Sequence, residues 1–162
     1  MRRDLYDKIV SYILQDQNKF YRLAYSYVRQ EEDALDVVQN AICKALEDYG
    51  DLKNEQAVRT WFYRILVNES LACLKKRQET IWIDGEGVEI PYQEQGFEIQ
   101  DDLYGQIRRL EEDVQTIIKL RFFEELSLKE IAEVMSMNLN TVKAKLYRGL
   151  RSLRQQIEEE KG

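Results

Sequence analysis

Residues that break helices are concentrated in one stretch of this chain. The only proline, Pro91, and three of the seven glycines, Gly85, Gly87 and Gly96, fall between residues 78 and 105. On either side, apolar residues recur every three or four positions, the spacing that gives a helix one buried face. Breakers concentrated in a single region imply two helical blocks, residues 1–77 and 106–162, joined by a linker over 78–105. A chain of 162 residues has room for one domain or two small ones, and the linker favours two. The expected fold class is all-α.

Charge follows the same division. The formal net charge is −6, and residues 78–104 hold eight acids (Glu79, Asp84, Glu86, Glu89, Glu94, Glu98, Asp101, Asp102) and no base. Removing those eight leaves the rest of the chain at +2, so the acidity belongs to the linker. The chain has no histidine, which excludes Ser-His and Cys-His nucleophiles and any histidine-bound metal. No catalytic residue, metal or cofactor is expected. Cys43 and Cys73 lie within helical patterns and read as buried, reduced thiols. The N-terminal residues lack an apolar signal sequence, and no apolar run reaches 18 residues, so a cytoplasmic protein is expected.

In the first block, Leu5, Ile9, Tyr12 and Ile13 form one stripe, and an aromatic segment follows from Phe20 to Val28. A third helix opens on Glu31, Glu32 and Asp33, acids that the helix dipole favours in a first turn. Gly50-Asp51 ends it. A fourth runs from about Gln56 to Arg77 with Val58, Trp61, Phe62, Ile65 and Leu66 inward. Within the linker, Ile81-Trp82-Ile83 is more apolar than a spacer requires and is a candidate docking segment.

The second block carries the more telling pattern. Leu110, Val114, Ile117 and Ile118 form a stripe continued by Leu120 and Phe122. Ser127-Leu-Lys-Glu130 is a capping box that starts a short helix, Ser136-Met-Asn138 is a turn, and Asn138 caps a last helix. Its inward positions are Leu139, Val142, Leu146, Leu150 and Leu153. Two short helices across a three-residue turn fit a helix-turn-helix, whose second helix enters the DNA major groove. Between Val134 and Ile157 there is no acid, while Lys143, Lys145, Arg148, Arg151 and Arg154 are basic. Asn140, Thr141, Ala144, Tyr147 and Arg148 lie opposite Val142 and Leu146. Such a helix gains affinity by neutralising phosphates, and arginine can read guanine edges.

Two sets of motifs together resemble the extracytoplasmic-function (ECF) sigma factors of bacterial RNA polymerase. Leu126-Ser-Leu-Lys-Glu-Ile-Ala-Glu-Val-Met, with Asn140-Thr-Val-Lys-Ala-Lys-Leu-Tyr-Arg-Gly-Leu after it, is similar to region 4. Phe20-Tyr-Arg-Leu-Ala-Tyr, Asp33-Ala-Leu-Asp-Val-Val-Gln and Thr60-Trp-Phe-Tyr-Arg-Ile-Leu-Val-Asn are similar to region 2, in order and at its spacing. The resemblance covers nearly all of the chain outside the linker.

What the resemblance implies can be placed by position. Asp33, Asp36 and Gln39 match the surface that docks on the clamp helices of the polymerase largest subunit. Leu52, Lys53 and Asn54 lie in the loop that captures an unstacked base of the promoter −10 element, with Leu52 as its apolar wall. Asn68 matches a base-reading position, and Thr60, Arg64 and Lys75 share its face for single-stranded backbone. Asn140, Thr141, Lys143, Ala144, Lys145, Tyr147, Arg148 and Arg151 match the face set against the −35 element. Ser136 stands where relatives often have the turn glycine, Ala72 where they have aspartate, and Cys73 where they have a base.

The implied partners are core RNA polymerase, promoter DNA and an anti-sigma factor, commonly membrane-anchored; no small-molecule substrate is implied. The acidic linker has a further expected role, mimicking nucleic acid in the polymerase's basic channels. Two other classes fit parts of the pattern. A stand-alone helix-turn-helix regulator would bind duplex DNA without polymerase, and a helical interaction protein would use its basic helix on acidic protein.

Overall fold

The computed structural model describes the backbone of residues 2–83 and 98–161 and the side chains of 3–79 and 103–159. Every regular element among them is helical: α1 (Arg2–Gln15), α2 (Gln17–Val28), α3 (Glu31–Glu47), α4 (Val58–Ile83), α5 (Glu98–Arg108), α6 (Glu112–Ile118), α7 (Leu128–Met135) and α8 (Leu139–Lys161). Two 3-10 turns, Tyr49–Asp51 and Glu55–Ala57, precede α4, and a π-helical turn, Lys119–Phe123, extends α6. The chain divides into two compact units, residues 1–93 and 94–162. Helix α4 continues to Ile83 and α5 starts at Glu98, so helix occupies both ends of the stretch read as linker. The backbone of Ile81-Trp82-Ile83 belongs to α4; its side chains, and residues 84–97 with their acids, lie outside the described residues.

In the first unit, α2, α3 and α4 pack together with α1 against them. The centre is aromatic: the Phe20 and Phe62 rings are 4.5 Å apart, Phe20 and Tyr63 5.6 Å, and Tyr12 and Phe20 5.6 Å. Tilted and edge-on arrangements such as these suit ring quadrupoles. Helix α3 turns Ala34, Val37, Val38, Ala41 and Ala45 inward. Its small residues admit the rings of its neighbours. Cys43 stands opposite that stripe and is exposed, and Cys73 is half-buried, which corrects the expectation of two buried thiols. Burial raises the Cys73 thiol above its ordinary pKa.

The inward face of α4 is Phe62, Tyr63, Leu66, Val67 and Ser70, with Trp61, Val58 and Ile65 half-buried at its edge. The true face is therefore rotated from the one that apolar residues alone suggest. Ser70 can lie fully buried because its hydroxyl donates to Leu66 O at 2.8 Å, which satisfies the polar group locally. Near the C-terminal half of α4, Arg77 donates to Val28 O at 2.9 Å and to the Asp33 carboxylate, tying α4 to the α2–α3 corner.

In the second unit, α6 and α8 pack so closely that a Cβ on Gly149 would stand 2.5 Å from Val114 Cγ1 and 3.1 Å from Ile118 Cδ1. Val114, Ile117, Ile118, Leu120, Leu126, Ile131, Val134, Val142, Leu146 and Leu153 complete this core. Two residues assigned inward by spacing are outside it. Phe122 is 53% exposed because the π-turn adds a residue to the helical repeat and swings it off the stripe. Leu139 is 37% exposed because it opens α8, before the helix meets its neighbours.

Candidate nucleic-acid interface

Local chemistry sets the α7–α8 pair. Ser127 Oγ accepts from Glu130 N at 3.1 Å while Glu130 Oε1 accepts from Ser127 N at 2.9 Å, so the capping box is closed in both directions. Ser136 ends α7 in the left-handed region (φ 52°, ψ 45°), and its N–H and that of Met137 return to the last carbonyls of α7. That is the geometry for which helix ends favour glycine; here serine takes it. Asn138 Oδ1 accepts from Asn140 N at 2.8 Å and starts α8. The turn is thus defined by hydrogen bonds at both of its ends.

The outer face of α8 presents Asn140, Thr141, Lys143, Ala144, Tyr147, Arg148 and Arg151, all exposed, over a buried face of Val142, Leu146 and Gly149. Tyr147 is 57% exposed, an uncommon setting for a large ring. Lys145 differs from the others. It is half-buried, and its Nζ donates to Asp113 Oδ2 at 2.5 Å, so it faces α6 instead of solvent. That hydrogen bond holds the Asp113 carboxyl below its usual pKa. Arg148 lies 3.6 Å from Glu111, with both groups well exposed. The acids paired with Lys145 and Arg148 therefore come from the start of α6, which sequence spacing within α8 does not reveal.

The first unit brings some expected residues to one surface and withdraws others. Arg64, Asn68 and Lys75 are exposed along one side of α4. Thr60, expected beside them, is 9% exposed; the 3-10 turn Glu55–Ala57 runs directly into α4, and the Thr60 hydroxyl donates to Ala57 O at 3.2 Å. Leu52, expected as a pocket wall, is 5% exposed and serves as a core residue anchoring the loop. Lys53 and Asn54 remain exposed, and Asn54 Oδ1 accepts from Gln56 N at 3.0 Å.

On α3, Asp36 and Gln39 are exposed, as the inward Val37 and Val38 require. Asp33 is instead engaged by Arg77. The same face carries Leu35, 52% exposed, and Cys43, neither of which charge or motif reasoning singles out. An apolar residue off the stripe of Ala34, Val37 and Ala41 was the available signal for Leu35. Among the described residues no helix is long and apolar enough to cross a membrane, and no three potential metal ligands converge.

Comparison with known proteins accounts for both units. Sigma-70 region 2 matches residues 13–80 and sigma-70 region 4 matches residues 100–153. The chain is 40% identical to the RNA polymerase sigma factor SigV of Bacillus subtilis, over 94% of this chain and 92% of that protein. It is 26% identical to the ECF RNA polymerase sigma factor SigW of the same organism, over 88% and 85% of the two chains. Among solved structures, the sigma factor RpoE in complex with the anti-sigma factor NepR from Bartonella quintana has the same fold, with a TM-score of 0.74 at 22% identity over 91% of this chain and 95% of that one. CnrH in complex with the cytosolic domain of CnrY follows at 0.73 and 17%, over 93% and 88%. With both regions present in order and a relative at 40% identity over 94% of the chain, this chain belongs to the ECF sigma factors of bacterial RNA polymerase.

Proposed function

We propose that this chain directs core RNA polymerase to specific promoters by dividing recognition between its two units. The observation that carries the reading is the exposed outer face of α8, whose own residues there include no acid, delivered by a hydrogen-bonded turn. In the −35 major groove, Lys143, Arg148 and Arg151 contact phosphate or guanine, Asn140 and Thr141 contact the backbone at the helix start, and Tyr147 packs with Ala144 on thymine methyls. In the first unit, Arg64, Asn68 and Lys75 hold melted −10 DNA, and Lys53 and Asn54 border the captured base. Asp36 and Gln39 dock on the clamp helices of the largest subunit. Leu52 and Asp33 support these surfaces from inside, and the protein performs no covalent chemistry.

The reading places the protein in the cytoplasm under an anti-sigma factor, membrane-anchored, that covers its polymerase- and DNA-binding faces. A solved structure that shares its fold, the sigma factor RpoE from Bartonella quintana, is in complex with an anti-sigma factor, which supports a regulator of this class. Family membership disfavours a stand-alone helix-turn-helix regulator. The test is run-off transcription on promoter libraries with purified core polymerase, with and without the protein. Promoter-specific transcripts are expected only with it, and their absence defeats the reading. Arg148→Ala is expected to lose about 1–3 kcal/mol and to relax selectivity in the upstream element alone.

A further inference from the structure

We propose that the acidic start of α6 is a specificity device for the recognition helix, in which Asp113 withholds Lys145 from DNA phosphates and Glu111 competes for Arg148. The inference rests on the reading of α8 as the duplex-contacting helix. Its basis is the one cation of the α8 basic set that does not face solvent. The side chain of Lys145 is 23% exposed and that of Asp113 29%. Their 2.5 Å hydrogen bond joins residues 32 positions apart, so only the packing of α6 on α8 creates it. One turn further along, Glu111 sits 3.6 Å from Arg148. That pair is solvated and therefore weak, easily exchanged for a base edge.

The effect on selectivity follows from how each contact scales. Every cation free to neutralise a phosphate strengthens binding to all sequences alike, through counterion release. A lysine already paired with a carboxylate releases no counterion and adds nothing off-site. Arg148, by contrast, is held loosely enough to leave Glu111 where a guanine offers a bidentate partner. The Asp113 carboxyl, held below its usual pKa by Lys145, stays ionised at neutral pH and keeps the pair intact. Suppressing general affinity while sparing base contacts raises the ratio of specific to non-specific binding, the quantity that matters on a genome.

The experiment uses the full chain with core polymerase. Binding is measured from 50 to 200 mM salt on the promoter fragment most active in run-off transcription and on the same fragment with a scrambled upstream element. Asp113→Asn is expected to free Lys145, so affinity for the scrambled fragment falls about 3.5-fold further across that salt range, the effect of roughly one added phosphate contact, and the specificity ratio drops. Lys145→Gln is expected to leave the salt slope unchanged, and the double variant to return the slope to wild type. Glu111→Gln should shift the ratio in the same direction as Asp113→Asn, by less. A mere strut between helices would make Asp113→Asn and Lys145→Gln weaken both fragments alike with no change in slope, and that result overturns the inference. So does a shallower slope for Lys145→Gln, which would make Lys145 a phosphate contact. In either case Arg148→Ala still losing upstream selectivity leaves the role of α8 standing; no promoter-specific transcripts from the wild type would remove both.

Discussion

The first unit fills its centre with rings, Tyr12, Phe20, Phe62 and Tyr63, each within 6.4 Å of another. The second gathers aliphatic side chains and brings α6 and α8 together until only a glycine fits between them. A ring-filled core draws its stability from a few large side chains. A close-packed aliphatic core depends on the absence of one methyl group. Function divides in parallel. The first unit spreads its polar residues over a loop and two helix faces, whereas the second concentrates them on one helix whose pitch its closest contact sets. A small shift of α8 would move its whole outer face.

The comparison can be broken most directly at Phe62, which is fully buried. Phe62→Ala is expected to cost about 3–5 kcal/mol, read in urea by the fluorescence of Trp61 beside it. A cost below about 1 kcal/mol would show that the rings do not hold the first unit together. Next in size is Gly149→Ala. Val114 is stiff at χ1 and cannot easily yield the 2.5 Å its Cγ1 would have to share, so a loss of about 1–3 kcal/mol is expected. Adding Val114→Ala should recover part of that loss by coupling, measured by circular dichroism. Independent, additive losses would mean that the two positions do not meet.

A smaller effect of opposite sign is expected at Ser136. Its left-handed backbone costs an L-residue about 1–2 kcal/mol, partly offset by the greater freedom glycine has when unfolded. Ser136→Gly should therefore stabilise the second unit by about 0.5–1 kcal/mol in a thermal melt. Smallest is the pH dependence of the Asp113–Lys145 pair. The folded-state pKa of Asp113 is depressed, so its contribution is fully present above the ordinary carboxyl pKa and is lost as pH falls through the folded value. The stability difference between wild type and Asp113→Asn, at most about 1 kcal/mol for so accessible a pair, should hold from pH 7 to about 5 and close below about pH 4. A difference that widened in acid would contradict the assigned cause.

Much of this was legible in the residues because its physics is local. The capping box, the Asn138 cap and the turn between them each depend on neighbours within a few positions, and all are present in the structure. The exposure of Asp36 and Gln39 followed from the helical repeat alone. Less legible were Leu52, between the two 3-10 turns, and Thr60, in the first turn of α4, where the α-helical repeat does not predict burial. Phe122 escaped its stripe for a related reason, since a π-turn changes the repeat on which the stripe was counted.

The sequence by itself determined two helical units, the helix-turn-helix and its basic outer face, and the motifs that place the chain among the ECF sigma factors. Helix spacing, caps and charge order are properties of short segments, and short segments carry them. Only the tertiary structure decided which charges are free to act. Asp33 and Arg77 are 44 residues apart and Asp113 and Lys145 are 32, and each pair is made by two helices packing together. Whether a given acid or base faces DNA, polymerase or its own neighbour is a matter of helix packing, which no local pattern encodes.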